Sequence, residues 1–448
     1  MKLRPVNSLR NLTSFLEQPT LTFSEPTTRT PSPLQFRNPR LEKIFQAKQN
    51  KSHLSLNSME LIDQDMEIVA YFLTQNNTKL LSLNLENNRA GNHGARYLSN
   101  ALIQNKVLTT LILKNNQIDV QGIEQLGHAL QYNTTLKVLD LSQNLIDDKS
   151  VQCLSYALQL NTTLTSLSLT YNNIGCQGAQ YISEALQKNK TLTSLSLEHN
   201  HIGFEGIVHL TNALLKNTTL TSCNLKQNQI KDEGMQHLSN ALKHNSTLKI
   251  LNLEHNQIGS EGIEYFSDAL RLNTALITLY LDFNKIRNEG AKYLSIALRQ
   301  NKNLSASNLD CSKMPDEGVK YLSDGLRYNK SLTTLSLAFN RIQYEGAQYL
   351  RDALLKNKTL RVLDLGYNDI NEKGMQYLNG ALQQNKVNKQ SIICYFDSFV
   401  IQVLTTLNLC CNHIGDKGTQ YLCDALRNNT VRLTMFKFLS VYVAYYFI

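Results

Sequence analysis

The sequence predicts an α/β solenoid, with short parallel strands along a concave face and helices along a convex face. Three observations carry that expectation: a leucine pattern repeating at a strict step of 28, a period-two apolar pattern early in each unit, and a helical apolar pattern later in it. A chain of 448 residues would ordinarily divide into two or three globular domains. A solenoid instead grows in one dimension and needs no single central core.

The period is read from leucines. With Leu80 as position zero, the same step meets Leu108, Leu136, Leu164, Leu192, Leu220, Leu248, Leu276, Leu304, Leu332 and Leu360. Each opens the pattern LxxLxLxxNxI, as in Leu136, Leu139, Leu141, Asn144 and Ile146. Alternation within LxLxx buries every second residue of a short strand, and strands from successive units stack at ~4.8 Å. The Asn at position eight (Asn88, Asn116, Asn144 and onward) falls where the chain leaves the strand. Its amide can donate and accept, so a stack of such residues can satisfy backbone groups that the strand ladder leaves open. The following GAxYLxxALxxN carries apolar residues at helical spacing, as at Gly178, Ile182, Ala185, Leu186 and Asn189. The closing Asn recurs in twelve copies from Asn105 to Asn429, and a left-handed helix-ending conformation is expected for it.

This combination closely resembles the ribonuclease-inhibitor-like class of leucine-rich repeats, particularly the repeat regions of NOD-like receptors, over roughly residues 54–430. The resemblance implies a horseshoe scaffold and a role in ligand sensing or as an adaptor. NOD-like receptors place a nucleotide-binding domain ahead of their repeats, and no motif for one stands in this sequence. Two related readings are a GTPase-activating protein of the nuclear-transport type, whose acidic tail is missing, and a ribonuclease inhibitor, whose alternating repeat lengths and cysteine richness are missing. The motif residues build the scaffold, so the resemblance speaks more to fold than to function.

The expected organisation follows. Residues 1–50 are a disordered, basic, Ser/Thr/Pro-rich tail; 51–79 are an N-terminal cap repeat; 80–430 hold twelve leucine-rich repeats at the step of 28; 431–448 are an apolar tail outside the pattern. The cap repeat is imperfect, with Leu54, Leu56, Met59 and Leu61 before Ile68, Val69, Phe72 and Leu73. The ninth copy departs too: Ser307 stands for Leu, Ser312 for the Asn, and Met314-Pro315 fill the loop, so a local irregularity is expected there.

The frame breaks once inside the array. Leu404 follows Leu360 by 44 instead of 28, and removing 387–402 would restore the regular step. That segment opens Val387-Asn388-Lys389, whose codons can carry a splice-donor sequence, and ends at Gln402, whose codon can be CAG. Val431-Arg432 can be read in the same way, so both segments are expected to be translated intron. The tail contains Lys437 and is too short for the ~20 apolar residues of a membrane span.

The formal charge of +9 is unevenly placed: residues 1–51 hold nine Lys/Arg against Glu17, Glu25 and Glu42. The eight cysteines, from Cys153 to Cys423, make no CxxC pair or zinc spacing, and no secretory apolar core stands near the N-terminus. A cytoplasmic, reducing compartment is expected. Sequons such as those at Asn133, Asn161, Asn217 and Asn245 arise from the helix-ending Asn and read as by-products of the scaffold. No phosphate loop, HExxH or GxSxG motif is present, so neither catalysis nor a cofactor nor a metal is expected.

Function is expected at positions the scaffold leaves free. Positions four and six of the strand face together carry seven acids (Glu86, Asp140, Glu198, Glu254, Asp282, Asp310, Asp364) against Lys114 and Lys226. Position seven runs Tyr171, His199, Gln227, His255, Phe283, Cys311, Phe339, Tyr367, a mostly aromatic ridge about 34 Å long at ~4.8 Å per strand. Rings beside charge dominate many interfaces. The expected contact set is Tyr171, Glu198, His199, Glu254, His255, Tyr280, Asp282, Phe283, Asp310, Phe339 and Tyr367, receiving a protein with a basic or mixed surface. Acidity on this face argues against nucleic acid, whose phosphates need cations. A competing reading is that the rings merely pack on one another.

Overall fold

The computed structural model describes residues 36–48, 51–75, 79–384 and 404–427. Among them thirteen three-residue strands form one sheet, ordered as in the chain and parallel throughout. Fourteen helices lie among the strands, one ahead of the first strand and one after each strand. This is the predicted α/β leucine-rich-repeat solenoid.

Register is kept residue for residue from His53↔Ser82 at one edge to Val362↔Thr406 at the other. The last pair bridges the break of frame, so the strand Thr406–Asn408 sits where an unbroken repeat would put it. The expected insertion 387–402 and the tail 431–448 fall outside the described residues, as do Asn385 and Asn429.

Each strand buries its central residue and the leucine two places later. Leu83, Leu85, Leu111 and Leu113 are fully buried beside the helix residues Leu98, Ala101 and Leu102. Side chains of successive units thus form one continuous core instead of twelve separate ones.

The Asn stack works as expected. Asn144 accepts the N–H groups of Asn116 and Ile118 at 3.1 and 3.0 Å and donates to Leu113 O and Leu141 O at 3.0 Å each. The helix-ending Asn behaves otherwise. Asn105, Asn133 and Asn161 are extended, with φ of −69°, −76° and −69°, and do not enter the left-handed region. Asn133 ends its helix with its side chain: Oδ1 accepts the N–H groups of Thr135 and Leu136, while Nδ2 reaches Leu102 O in the preceding unit. The cross-repeat bond is made from this extended backbone, with the side chain in place of a left-handed residue ending the helix.

The left-handed conformation appears at position seven instead. All twelve residues there, from Asn87 to Cys411, have φ between 50° and 57°.

The N-terminal end also departs from expectation. Pro39–Ala47, assigned above to a disordered tail, is a helix whose Leu41 and Phe45 are buried. Asn38 caps it by accepting the Leu41 N–H at 3.1 Å, and Pro39 sits where a missing N–H does no harm. Phe45 stacks on Phe72 at 4.4 Å, and Asn38 Nδ2 bonds Asp65 Oδ1 at 2.7 Å, so this helix covers the open end of the core.

At the ninth unit the strand Ala306–Asn308 keeps register with both neighbours. One irregularity lies on the helix side. Gly325 replaces the usual Ala, and a Cβ there would come within 2.8 Å of Ser295 Cα and O, so the two helix backbones approach too closely for any side chain.

Candidate functional site

The ridge stands on strained backbone. A left-handed conformation costs an ordinary side chain about 1–2 kcal/mol, and Asn tolerates it best. Asn87 and Asn115 meet that preference, and His199 and His255 meet it in part, whereas Tyr171, Phe283, Phe339 and Tyr367 do not.

The rings are paired. Tyr171 stacks on His199 at 3.9 Å, His255 on Phe283 at 4.2 Å and Phe339 on Tyr367 at 4.1 Å, each within 15° of parallel. They therefore do pack on one another, yet Tyr171, Phe283, Phe339 and Tyr367 remain 44–49% exposed. The pairs begin three units apart, at Tyr171, His255 and Phe339, with Gln227 and Cys311 in the gaps.

A second feature keeps that spacing of three units. Asp148, Asp232 and Asp316 each accept a backbone N–H from the next unit: Gly175 and Gly259 at 2.6 Å and Gln343 at 2.7 Å. The central array is thus built in triplets of repeats, a regularity that the single-unit period conceals.

On the strand face the acids divide into two groups. Glu86 pairs with Lys114 at 2.7 Å, and Lys226 lies between Glu254 at 2.9 Å and Glu198 at 3.9 Å. Glu198 and Glu254, expected to meet a partner, therefore already share a lysine across neighbouring strands.

Among the described residues, no cation pairs with Asp282 or Asp310. Asp282 Oδ1 accepts the Asp310 N–H at 2.9 Å; Asp310 Oδ1 accepts the Ala338 N–H at 2.8 Å and the Ser336 hydroxyl. Burial pushes the Asp282 carboxyl up to about 7, reinforced by Asp310 and Glu254 and opposed by its bond to the Asp310 N–H. Asp310 is raised as well, mainly by burial. Both side chains serve the scaffold, holding position-six N–H groups of the following unit. Tyr280, at position four of the strand Thr278–Tyr280, is half-buried in register with Asn252 and Asn308.

Beside the ridge runs a groove of about 580 Å³. Its lining includes the ridge residues Tyr171, His199, His255 and Phe283 and the position-nine residues His201, Gln229, Gln257 and Lys285. Burial lowers the His199 imidazole, favouring its neutral form. Among the described residues no cluster of three or more His, Cys, Asp or Glu could hold a metal, and no helix is long and apolar enough to cross a membrane.

Sequence reasoning passed over position nine because it considered only the strand face. Lys285, Lys313 and Arg341 recur there in three consecutive units, a column legible by the same count that found the ridge.

Parallel strands, alternating helices and a buried Asn stack define a repeat scaffold of the leucine-rich type. The chain belongs to the leucine-rich repeat family, whose model matches ten segments: 104–127, 132–155, 160–183, 188–210, 216–239, 244–267, 272–295, 328–350, 356–378 and 400–423. These cover just over half of the chain and skip the divergent ninth unit. No curated protein matches the chain. Among solved structures, an internalin from Listeria monocytogenes is 20% identical, covering 83% of this chain and 89% of its own, with a TM-score of 0.42. The second actin-binding site of leiomodin-1 is 28% identical, covering 31% of this chain and 82% of its own, with a TM-score of 0.29. Proteins of this family are typically protein-interaction scaffolds without catalytic activity.

Proposed function

We propose that the chain is a scaffold or adaptor that grips a protein partner on its strand face and performs no chemistry of its own. The observation that carries this reading is the row of half-exposed rings on left-handed backbone. Each ring buries roughly 100 Å² in the free protein, a gain of about 2 kcal/mol, against about 1–2 kcal/mol of backbone strain. The two nearly cancel, so folding alone gives little reason to prefer rings over the Asn of the first two units. A partner that covers their exposed halves supplies the reason.

The contact set is Tyr171, His199, His255, Phe283, Phe339 and Tyr367, with Tyr280 and the Lys226-bridged Glu198 and Glu254 beside them; Asp282 and Asp310, turned to backbone N–H groups, hold the strands beneath the ridge. A partner of basic or mixed surface suits this arrangement, in keeping with a ribonuclease-inhibitor-like or NOD-like-receptor-like subtype working in the cytoplasm. The test is quantitative capture from native lysate with the full chain and with Phe283→Asn/Phe339→Asn/Tyr367→Asn. Loss of a saturable partner in the variant supports the reading; equal recovery by both refutes it.

A further inference from the structure

The strand face is acidic, but the loop edge on the other side of the ridge is not. Lys285, Lys313 and Arg341 occupy position nine of three consecutive units, and Arg287 follows in the first of these loops. All four are exposed, and among the described residues none forms an ion pair within 4.0 Å. The carboxylates of the same loops are otherwise engaged. Glu289 pairs with Lys292 at 3.6 Å, Asp316 takes the Gln343 N–H at 2.7 Å, and Glu317 takes Asn288 Nδ2 at 2.7 Å.

These cations form a registered column. The strands beneath them pair Tyr280↔Asn308↔Ser336, and each cation stands five residues beyond its strand. The Arg287 N–H bonds Ser312 O at 3.0 Å, which ties the first loop to the second. The column has ends, with Gln257 preceding it and Asp369 following it, the latter 3.8 Å from His413. Phe283 and Phe339 flank it from position seven.

We propose that this rim docks an acidic amphipathic helix of the partner, its carboxylates one turn apart facing Lys285, Lys313 and Arg341, its apolar side on Phe283 and Phe339. The proposal rests on the protein-binding reading above and names the chemistry of the partner.

Spacing decides between a helix and an extended segment. Three stations at ~4.8 Å per strand span ~9.6 Å. Two helical turns rise ~10.8 Å, a mismatch near 1 Å that long Lys and Arg side chains absorb. Alternate residues of an extended chain advance ~6.7 Å, so two steps overshoot by about 4 Å. Charge decides between a helix and a nucleic acid. A helix can present carboxylates on one side only, whereas an oligonucleotide is anionic all along and would lie beside Asp364 as well as the cations.

The probe is a fluorescein-labelled 18-residue peptide, a length of about five turns, with Glu at i, i+4, i+7 and i+11 and Leu on the adjacent face. Its controls are a peptide of equal composition with Glu at alternate positions and a single-stranded oligothymidine. The full chain is expected to bind the helical peptide best, with a gain of helical circular dichroism and with weakening by salt. Lys285→Glu/Lys313→Glu/Arg341→Glu should weaken that binding at least tenfold. Lys285→Gln/Lys313→Asn/Arg341→Asn, which places Asn at the left-handed positions 313 and 341, is the variant that leaves the fold undisturbed and should weaken it in the same direction. Preference for the alternate-Glu peptide or the oligonucleotide, or affinity unchanged in both variants, overturns the proposal. A lysate partner lost by the ring variant and kept by the rim variant overturns it too while leaving the strand-face reading intact; a partner kept by both removes that reading itself.

Discussion

Replacing Phe339 and Tyr367 by Asn separates folding from binding. The substitution removes one stacked pair, whose rings lie 4.1 Å apart, and puts at φ of 57° and 52° the residue type that tolerates those angles. Lost stacking and partial burial amount to about 4–5 kcal/mol for the pair, and relief of strain returns about 2–4 kcal/mol, so the net loss of stability should stay within about 3 kcal/mol. Binding has no such compensation. Each ring exposes about half of its surface, roughly 100 Å², and covering both is worth up to about 5 kcal/mol. Association costs reduce what is observed, so an affinity loss of at least about 100-fold is expected. Denaturant unfolding gives the first quantity; titration of the captured partner by calorimetry gives the second, with Tyr156→Gln on the helix side as a control that leaves affinity unchanged. Unaltered affinity, or a stability loss above about 3 kcal/mol, would show that the rings are core and refute the reasoning.

Three further outcomes follow from the scaffold. Ser312 interrupts the Asn stack: Asn256 and Ile258 donate to Asn284 Oδ1, but Asn284 and Ile286 meet no such amide at the ninth unit, so Ser312→Asn should stabilise by about 1–3 kcal/mol and slow amide exchange at residues 284 and 286. Faster exchange there would contradict the account of the stack. Asp282, raised from 3.8 to about 7, binds its proton more tightly in the folded state, so its contribution is present below about pH 4 and lost as pH rises through about 7. Asp282→Asn should match the parent at pH 4 and exceed it at pH 8 by on the order of 2–4 kcal/mol; equal stability at both values would place the carboxylate in water. Deleting 387–402 should leave the melting temperature within a few degrees, since the strands on either side already pair in register and the loop term is about 0.5 kcal/mol. Loss of the last strand's protection from exchange would show that the segment is structural, and abundant spliced message carrying it would end the intron reading.

The repeat was legible because leucines at fixed spacing report burial directly, and Asn144 and its equivalents report the backbone groups they satisfy. The helix at Pro39–Ala47 was not, because the Ser/Thr/Pro content of the surrounding tail hid a local cap at Asn38 and an i, i+4 pair, Leu41 and Phe45. The ridge was found by counting from Leu80. Its left-handed backbone was not, since rings are the residues least expected there. Summing charge down a column also missed that Lys226 stands one unit from Glu198 and from Glu254, so its ion pairs lie across strands. Contacts between units obey the same period as those within them, and reading each position against its equivalents one unit before and after would have exposed both the pairs and the basic rim.

The most direct test of the strand-face account is photo-crosslinking with a benzophenone side chain placed in turn at Phe283, Phe339 and Tyr367, and at Tyr156 and Tyr328 on the helix side. Adducts with the captured partner from the first three positions and none from the other two are expected. Adducts from the helix side alone would contradict the claim that this protein grips its partner with the strand face and its ridge.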